Sequence, residues 1–211
     1  MSIRNCNDIP RKPLLHDIIW MVCRVSLLLW GTVHFFFGYT TEFLQGIFAT
    51  IFTYLWDMFQ IWGGKSFITK LSYRCQTQLN IFICVGCVIG TTLNKHTEFT
   101  YSDIFLHFMA GYISATGMYE LSKIMQGKGK ETGPAMKIMF MLTGAVAILV
   151  GWEFYEFSMD RIYGMRLQCT SLFSEYGLVD TMWDLIIGTG GALCSMFAQI
   201  ISLVRNNKKK S

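Results

Sequence analysis

Three short stretches hold the side chains able to do chemistry. GWEFYEFSMD (residues 151–160) carries Glu153, Glu156 and Asp160. YSDIFLHFMAG (101–111) carries Asp103 and His107, and VDTMWDLIIG (179–188) carries Asp180 and Asp184. Residues three or four apart share one face of a helix. Glu153, Glu156 and Asp160 therefore form a stripe about 60° wide. Asp103 with His107, and Asp180 with Asp184, each make a one-sided pair. Six of the fourteen acids and one of the four histidines fall in these patches.

Carboxylates joined by an imidazole are a donor set for Mg, Mn, Zn or Fe. Glu-x-x-Glu and Asp-x3-His spacings resemble ligand sets built on facing helices. Six carboxylates at close quarters cannot all stay ionised without compensation. They share protons, or cations neutralise them: a divalent metal, Arg161, Arg166, or a cationic group on a ligand. Asp103, His107, Glu153, Glu156, Asp160, Asp180 and Asp184 make up the expected polar site. Within it His107, Glu153, Glu156 and Asp184 lie deepest in apolar sequence and form the hypothetical metal ligands. Structural readings stand beside these. Asp103 and Asp180 suit helix N-termini, and Asp160 could pair with Arg161 or Arg166. A buried polar network that only holds helices together is the alternative for the deeper four.

The elements that must position these groups are written in the hydropathy. The chain has 211 residues, 52% hydrophobic and only 15% charged, against about 25% charged in soluble domains. Its apolar residues come in runs long enough to cross a bilayer core of about 30 Å as helices. Six runs are expected: Ile18–Phe37, Phe43–Trp62, Leu79–Leu93, Ser102–Met125, Ala135–Phe157 and Val179–Val204. The fold class is all-α, a polytopic transmembrane bundle of about six helices. Residues 1–17 form a cytoplasmic segment, 18–204 a single six-helix membrane domain, and 205–211 a basic cytoplasmic tail. The first run carries Arg24 and is followed by no small-x-small cleavage site, so it reads as a retained helix.

Lys and Arg set the orientation. Fourteen of the eighteen fall in the N-terminal segment, the second and fourth loops and the tail; three fall in the alternate loops. The positive-inside rule then puts both termini in the cytoplasm and all three acidic patches at the opposite, extracytoplasmic level. The net charge of +4 reports topology and attraction to anionic headgroups, not nucleic-acid binding. The seven cysteines imply no disulfide framework, and Cys84-Val-Gly-Cys87 in an apolar run reads as small hydrophobes. Arg24 and Asp57 read as a structural ion pair, and His34 as an interfacial histidine. Gly111, Ser114, Ala115, Gly188, Gly190 and Gly191 read as close helix contacts. GxSxG and HExxH motifs are absent from the sequence.

YSDIFLHFMAGY, GWEFYEF and VDTMWDLIIGTGGAL together resemble the YjdF-like family of bacterial inner-membrane proteins of unknown function. They are more distantly similar to the VanZ-like family, associated with glycopeptide resistance. The likeness covers roughly the C-terminal half. It falls on Asp103, His107, Phe108 and Gly111; on Glu153 and Glu156; and on Asp180, Thr181, Asp184, Gly191 and Ala192. VanZ-like chains often carry Asn where this chain has Gly188. The resemblance implies a multi-pass protein of the bacterial plasma membrane and marks these residues without assigning a reaction.

Three functions are open to such a sequence. The acids could bind a cation or a lipid or cell-envelope component without catalysis. They could hold a divalent metal that activates water for hydrolysis of a lipid or envelope substrate. They could form the cation or proton site of an ion-coupled transporter. Against the last, the acids lie at one face rather than mid-membrane, and no inverted repeat is visible.

Overall fold

A computed structural model describes residues 12–62, 70–92, 101–126, 132–164, 167–168 and 175–208. Cys6, Cys169, Arg166 and the loop and tail cations Arg4, Arg11, Lys65, Lys95, Lys128, Lys130, Lys209 and Lys210 lie outside the described residues. The described chain is all-helical, with six helices and no strand. It divides into two compact units between Asp103 and Ile104.

The first unit contains α1 (Leu14–Phe36), α2 (Thr40–Trp62) and α3 (Tyr73–Val85), the last running on through a π turn at Gly86–Gly90. Gly38, at φ 84°, makes the tight turn from α1 to α2, and the Tyr39 N–H returns to the His34 carbonyl at 2.9 Å. The two helices cross at small residues. A Cβ on Gly46 would stand 2.9 Å from the Leu27 carbonyl oxygen and 3.1 Å from the Gly31 Cα, so only glycine permits this approach. Helix α3 runs parallel to α1: the Trp20 indole donates to Thr77 at 2.7 Å, and the Trp30 indole to Thr92 at 3.0 Å. It begins six positions before the expected Leu79. Ser72 caps it by accepting from the Cys75 N–H, and the first two turns are polar, so hydropathy concealed them.

Arg24 meets Asp57 as its residue type required. Its guanidinium donates to the Asp57 carboxylate and to the Thr53 carbonyl, and lies 3.7 Å over the Tyr54 ring. Lys12 adds a second cation to Asp57 at 3.2 Å and also reaches Asp17 at 3.1 Å. His34 Nδ1 lies 2.9 Å from the Trp30 carbonyl. Cys23, Cys75, Cys84, Cys87 and Cys194 are free thiols.

The second unit contains α4 (Tyr101–Met125), α5 (Pro134–Tyr163) and α6 (Glu175–Lys208). The boundary between units falls one turn into α4, and Asp103 belongs to the same continuous helix as His107. Pro134 opens α5, where its missing N–H costs nothing. Gly164, at φ 65°, closes it in the left-handed conformation, its N–H returning to the Asp160 carbonyl at 3.0 Å. The helix therefore runs through Tyr163 rather than ending at Phe157, and Asp160 lies inside it. Ala115, Tyr119, Met141, Ala145 and Ala192 form the apolar core. Thr116 and Ser195 hydroxyls hydrogen-bond between α4 and α6 at 2.9 Å.

Burial is inverted relative to a water-soluble domain. Glu42, Gln76, Asn80, His107, Glu153 and Asp184 are buried, while Leu14, Leu29, Phe48, Phe154, Trp183 and Phe197 are exposed. Hydrocarbon rather than water is the solvent for such a surface. Among the described residues three helical segments are both long and apolar enough to cross a membrane: Leu14–Phe36, Pro134–Tyr163 and Gly177–Asn206. Helices α2 and α4, with 23 and 25 residues, also have spanning length at about 1.5 Å per residue.

Candidate metal-binding site

Helix direction explains why the acids meet. Contacts His107–Asp184, Gly111–Gly188 and Thr116–Ser195 advance together along α4 and α6, so these helices are parallel. Leu149 of α5 packs on Gly188, and Glu153, a turn further on, falls level with Asp184, so α5 runs the other way. The starts of α4 and α6 and the end of α5 are thereby brought to one end of the unit.

Glycine lets the backbones close to the distance the site needs. A Cβ on Gly111 would overlap the Gly188 carbonyl and lie 3.0 Å from the Gly188 Cα. One on Gly191 would overlap the Phe108 carbonyl. Gly188 itself would drive a Cβ to 2.7 Å from Leu149 and 3.3 Å from the His107 carbonyl. A side chain at this position, where VanZ-like chains carry Asn, would have to displace the Leu149 methyls. Gly190 faces open space and is no helix contact, contrary to the expectation from its place in the glycine run. Its helical phase, not its residue type, decides this.

Glu153, Glu156 and Asp184 each present a carboxylate oxygen, and the three oxygens lie within 4.8 Å of one another. They are 5%, 8% and 3% exposed. Asp103, His107 and Asp184 form a second such group, with His107 7% exposed. His107 Nε2 stands 3.6 Å from Asp184 Oδ2. Asp184 is thus common to both groups. Two carboxylate charges 4.8 Å apart repel by about 3 kcal/mol at an effective dielectric of 20. Three such pairs make a proton or a cation the natural counterweight. Oxygen donors with one imidazole suit a borderline or hard divalent ion.

The remaining expected residues divide. Asp160 sits on the same stripe, but its two oxygens accept from the backbone N–H groups of Leu167 (2.6 Å) and Gln168 (3.0 Å). It clamps the segment after α5. Gln168 in turn donates to Thr181 at 2.8 Å, tying that segment to the first turns of α6. Asp180 lies in those turns, half-buried and outside both ligand groups. Arg161 is exposed and lies over the Phe157 ring. Sequence reasoning missed Trp152, whose indole N–H donates to Glu156 Oε1 at 2.7 Å. The i, i+4 spacing of Trp152 and Glu156 was the available signal.

An all-helical chain with an apolar exterior and a buried cluster of acids and histidine is an integral membrane protein. It belongs to the family described as Predicted membrane protein (DUF2238), whose family model matches residues 16–205. The YjdF-like resemblance is consistent with that membership. No curated protein and no solved structure matches the chain.

Proposed function

We propose that this is a multi-pass protein of the bacterial plasma (inner) membrane that binds a divalent cation at the extracytoplasmic ends of α4, α5 and α6. His107, Glu153, Glu156 and Asp184 are its ligands. Residues 18–204 form the membrane domain, and residues 1–17 and the basic tail 205–211 lie in the cytoplasm. The distribution of Lys and Arg supports this orientation. One observation carries the binding reading: three buried carboxylate oxygens within 4.8 Å, with Asp184 reaching His107 on the other side. Such a group is costly in a membrane helix unless a ligand or protons balance it. The bound ion would in turn recruit an anionic lipid headgroup or cell-envelope component at that surface.

A hydrolytic role is the second reading. Asp103 falls in the group with His107 and Asp184, so a carboxylate outside the proposed ligand set stands beside it as a general base. A divalent metal would supply an activated water there.

Metal content tests the binding on which both readings rest. The full chain is purified in detergent, bound divalent metals are quantified by mass spectrometry, and the measurement is repeated on Glu153→Gln/Glu156→Gln. One or two equivalents in the wild type and a loss in the folded variant are expected. A well-folded wild type that takes up no divalent ion after incubation with Mg, Mn, Zn or Fe(II) overturns the proposal. Turnover of a lipid phosphate ester only with metal bound would select the hydrolytic reading.

A further inference from the structure

We propose that the first unit holds a second site of different chemistry, in which the side-chain amide oxygens of Gln76 and Asn80 receive a monovalent cation. The two residues are four apart on α3, hence on one face, and are 1% and 0% exposed. Each amide nitrogen donates to a backbone carbonyl: Gln76 Nε2 to Leu71 at 2.8 Å, Asn80 Nδ2 to Gln76 at 3.0 Å. A carbonyl accepts only from the NH2 end, so these bonds fix which end of each amide is oxygen. Gln76 Oε1 and Asn80 Oδ1 are buried and accept from no described residue.

Several described donors of the first unit serve other acceptors. The Trp20 indole donates to Thr77 Oγ1, and the His16 ring lies 2.8 Å from the same oxygen. Arg24 holds Thr53 and Asp57, and Lys12 holds Asp17 and Asp57. Two neutral carbonyl-type acceptors in low dielectric, unmet among the described residues, call for a donor or a cation. Divalent ions draw on carboxylates beside any amide oxygens they use, whereas these two oxygens are neutral, which suits an alkali or ammonium ion. This inference is independent of the carboxylate cluster of the second unit.

The test is thermal unfolding of the full chain in detergent with EDTA present, which removes divalent ions from consideration. N-methylglucamine chloride is replaced at constant ionic strength by NaCl, KCl or NH4Cl. One of these ions should raise Tm saturably, by roughly 5–10 °C at a hundredfold excess over its Kd. Asn80→Asp keeps the oxygen and adds charge, and should lower the half-effective concentration at least tenfold. Gln76→Leu/Asn80→Leu should abolish the response. A wild-type Tm indifferent to all three ions overturns the proposal and leaves an ordered water as the donor. A response that survives in the double leucine variant overturns it too, because the ion then binds elsewhere. Should that variant fail to fold, the wild type and Asn80→Asp still decide.

Discussion

Substituting Gly111 by alanine tests whether the glycine contacts of α4 and α6 set the geometry of the acidic cluster. The new Cβ would overlap the Gly188 carbonyl and stand 3.0 Å from its Cα. Ordinary carbon–carbon contact needs about 3.5–4.0 Å. The obstacle is backbone on both sides, so no side chain can rotate away, and relieving the overlap with the Gly188 oxygen requires the helices to part by more than about 1 Å. His107 Nε2 and Asp184 Oδ2, now 3.6 Å apart, lie one turn from this crossing and would separate by a similar amount. Overpacking of this kind costs about 1–3 kcal/mol, and the ligand group loses convergence. Gly190→Ala is the matched control: it enters open space and should gain about 0.5–1 kcal/mol of helix propensity. The assay is thermal unfolding in detergent together with metal content, read for both variants. Gly111→Ala should lower Tm by several degrees and reduce bound metal; Gly190→Ala should do neither. A Gly111→Ala protein with wild-type Tm and wild-type metal would refute the close crossing and the dependence of the site upon it.

Trp152→Phe keeps the aromatic ring but removes the donor to Glu156 Oε1, 2.7 Å away; metal affinity should fall about tenfold at unchanged Tm, measured by competition with a chromogenic chelator. Asp160→Ala strips the acceptor from the Leu167 and Gln168 N–H groups, each hydrogen bond to a charged group being worth about 1.5–3 kcal/mol. Proteolysis between α5 and α6 should accelerate while metal content stays at the wild-type level; a loss of metal in a protein of normal Tm would instead make Asp160 a ligand. Arg24→Leu should destabilise by less than the about 3–5 kcal/mol of a fully buried pair, because Asp57 is a third exposed and keeps Lys12. The double variant Arg24→Leu/Asp57→Leu should recover part of the loss, and a double variant less stable than either single one would contradict the pairing.

Each helix could be read from the sequence to the extent that its lipid-facing surface dominates its composition. Helices α1 and α5 are apolar almost all round, and their runs were plain. Helix α3 hides Gln76, Thr77 and Asn80 against its neighbours, so the same average hydropathy that marks a span concealed its first turns. The end of α5 is hidden differently: the apolar run stops at Phe157 and Arg161 reads as an outer-loop cation, whereas Gly164 carries the stop signal three residues later. The division of the chain after Asp103 has no counterpart in hydropathy, because packing between helices, not the solvent around them, defines it.

Side-chain type and helical phase together foretold that Glu153 and Glu156 share a face, but they could not say what each oxygen meets. That depends on residues from other turns and other helices. Asp160 has the same phase as Glu156, yet the backbone of Leu167 and Gln168 captures both its oxygens. Glu156 has one oxygen held by an indole on its own helix, which fixes the direction in which the other can act. Asp184 owes its central position to Gly111 and Gly188, which contribute no chemical group at all. The glycines, the indole and the capture of Asp160 are therefore part of the site in the same physical sense as the carboxylates. A search for such sites in sequences of this kind gains more from pairing each acidic stripe with the glycine face one turn deeper than from counting acids.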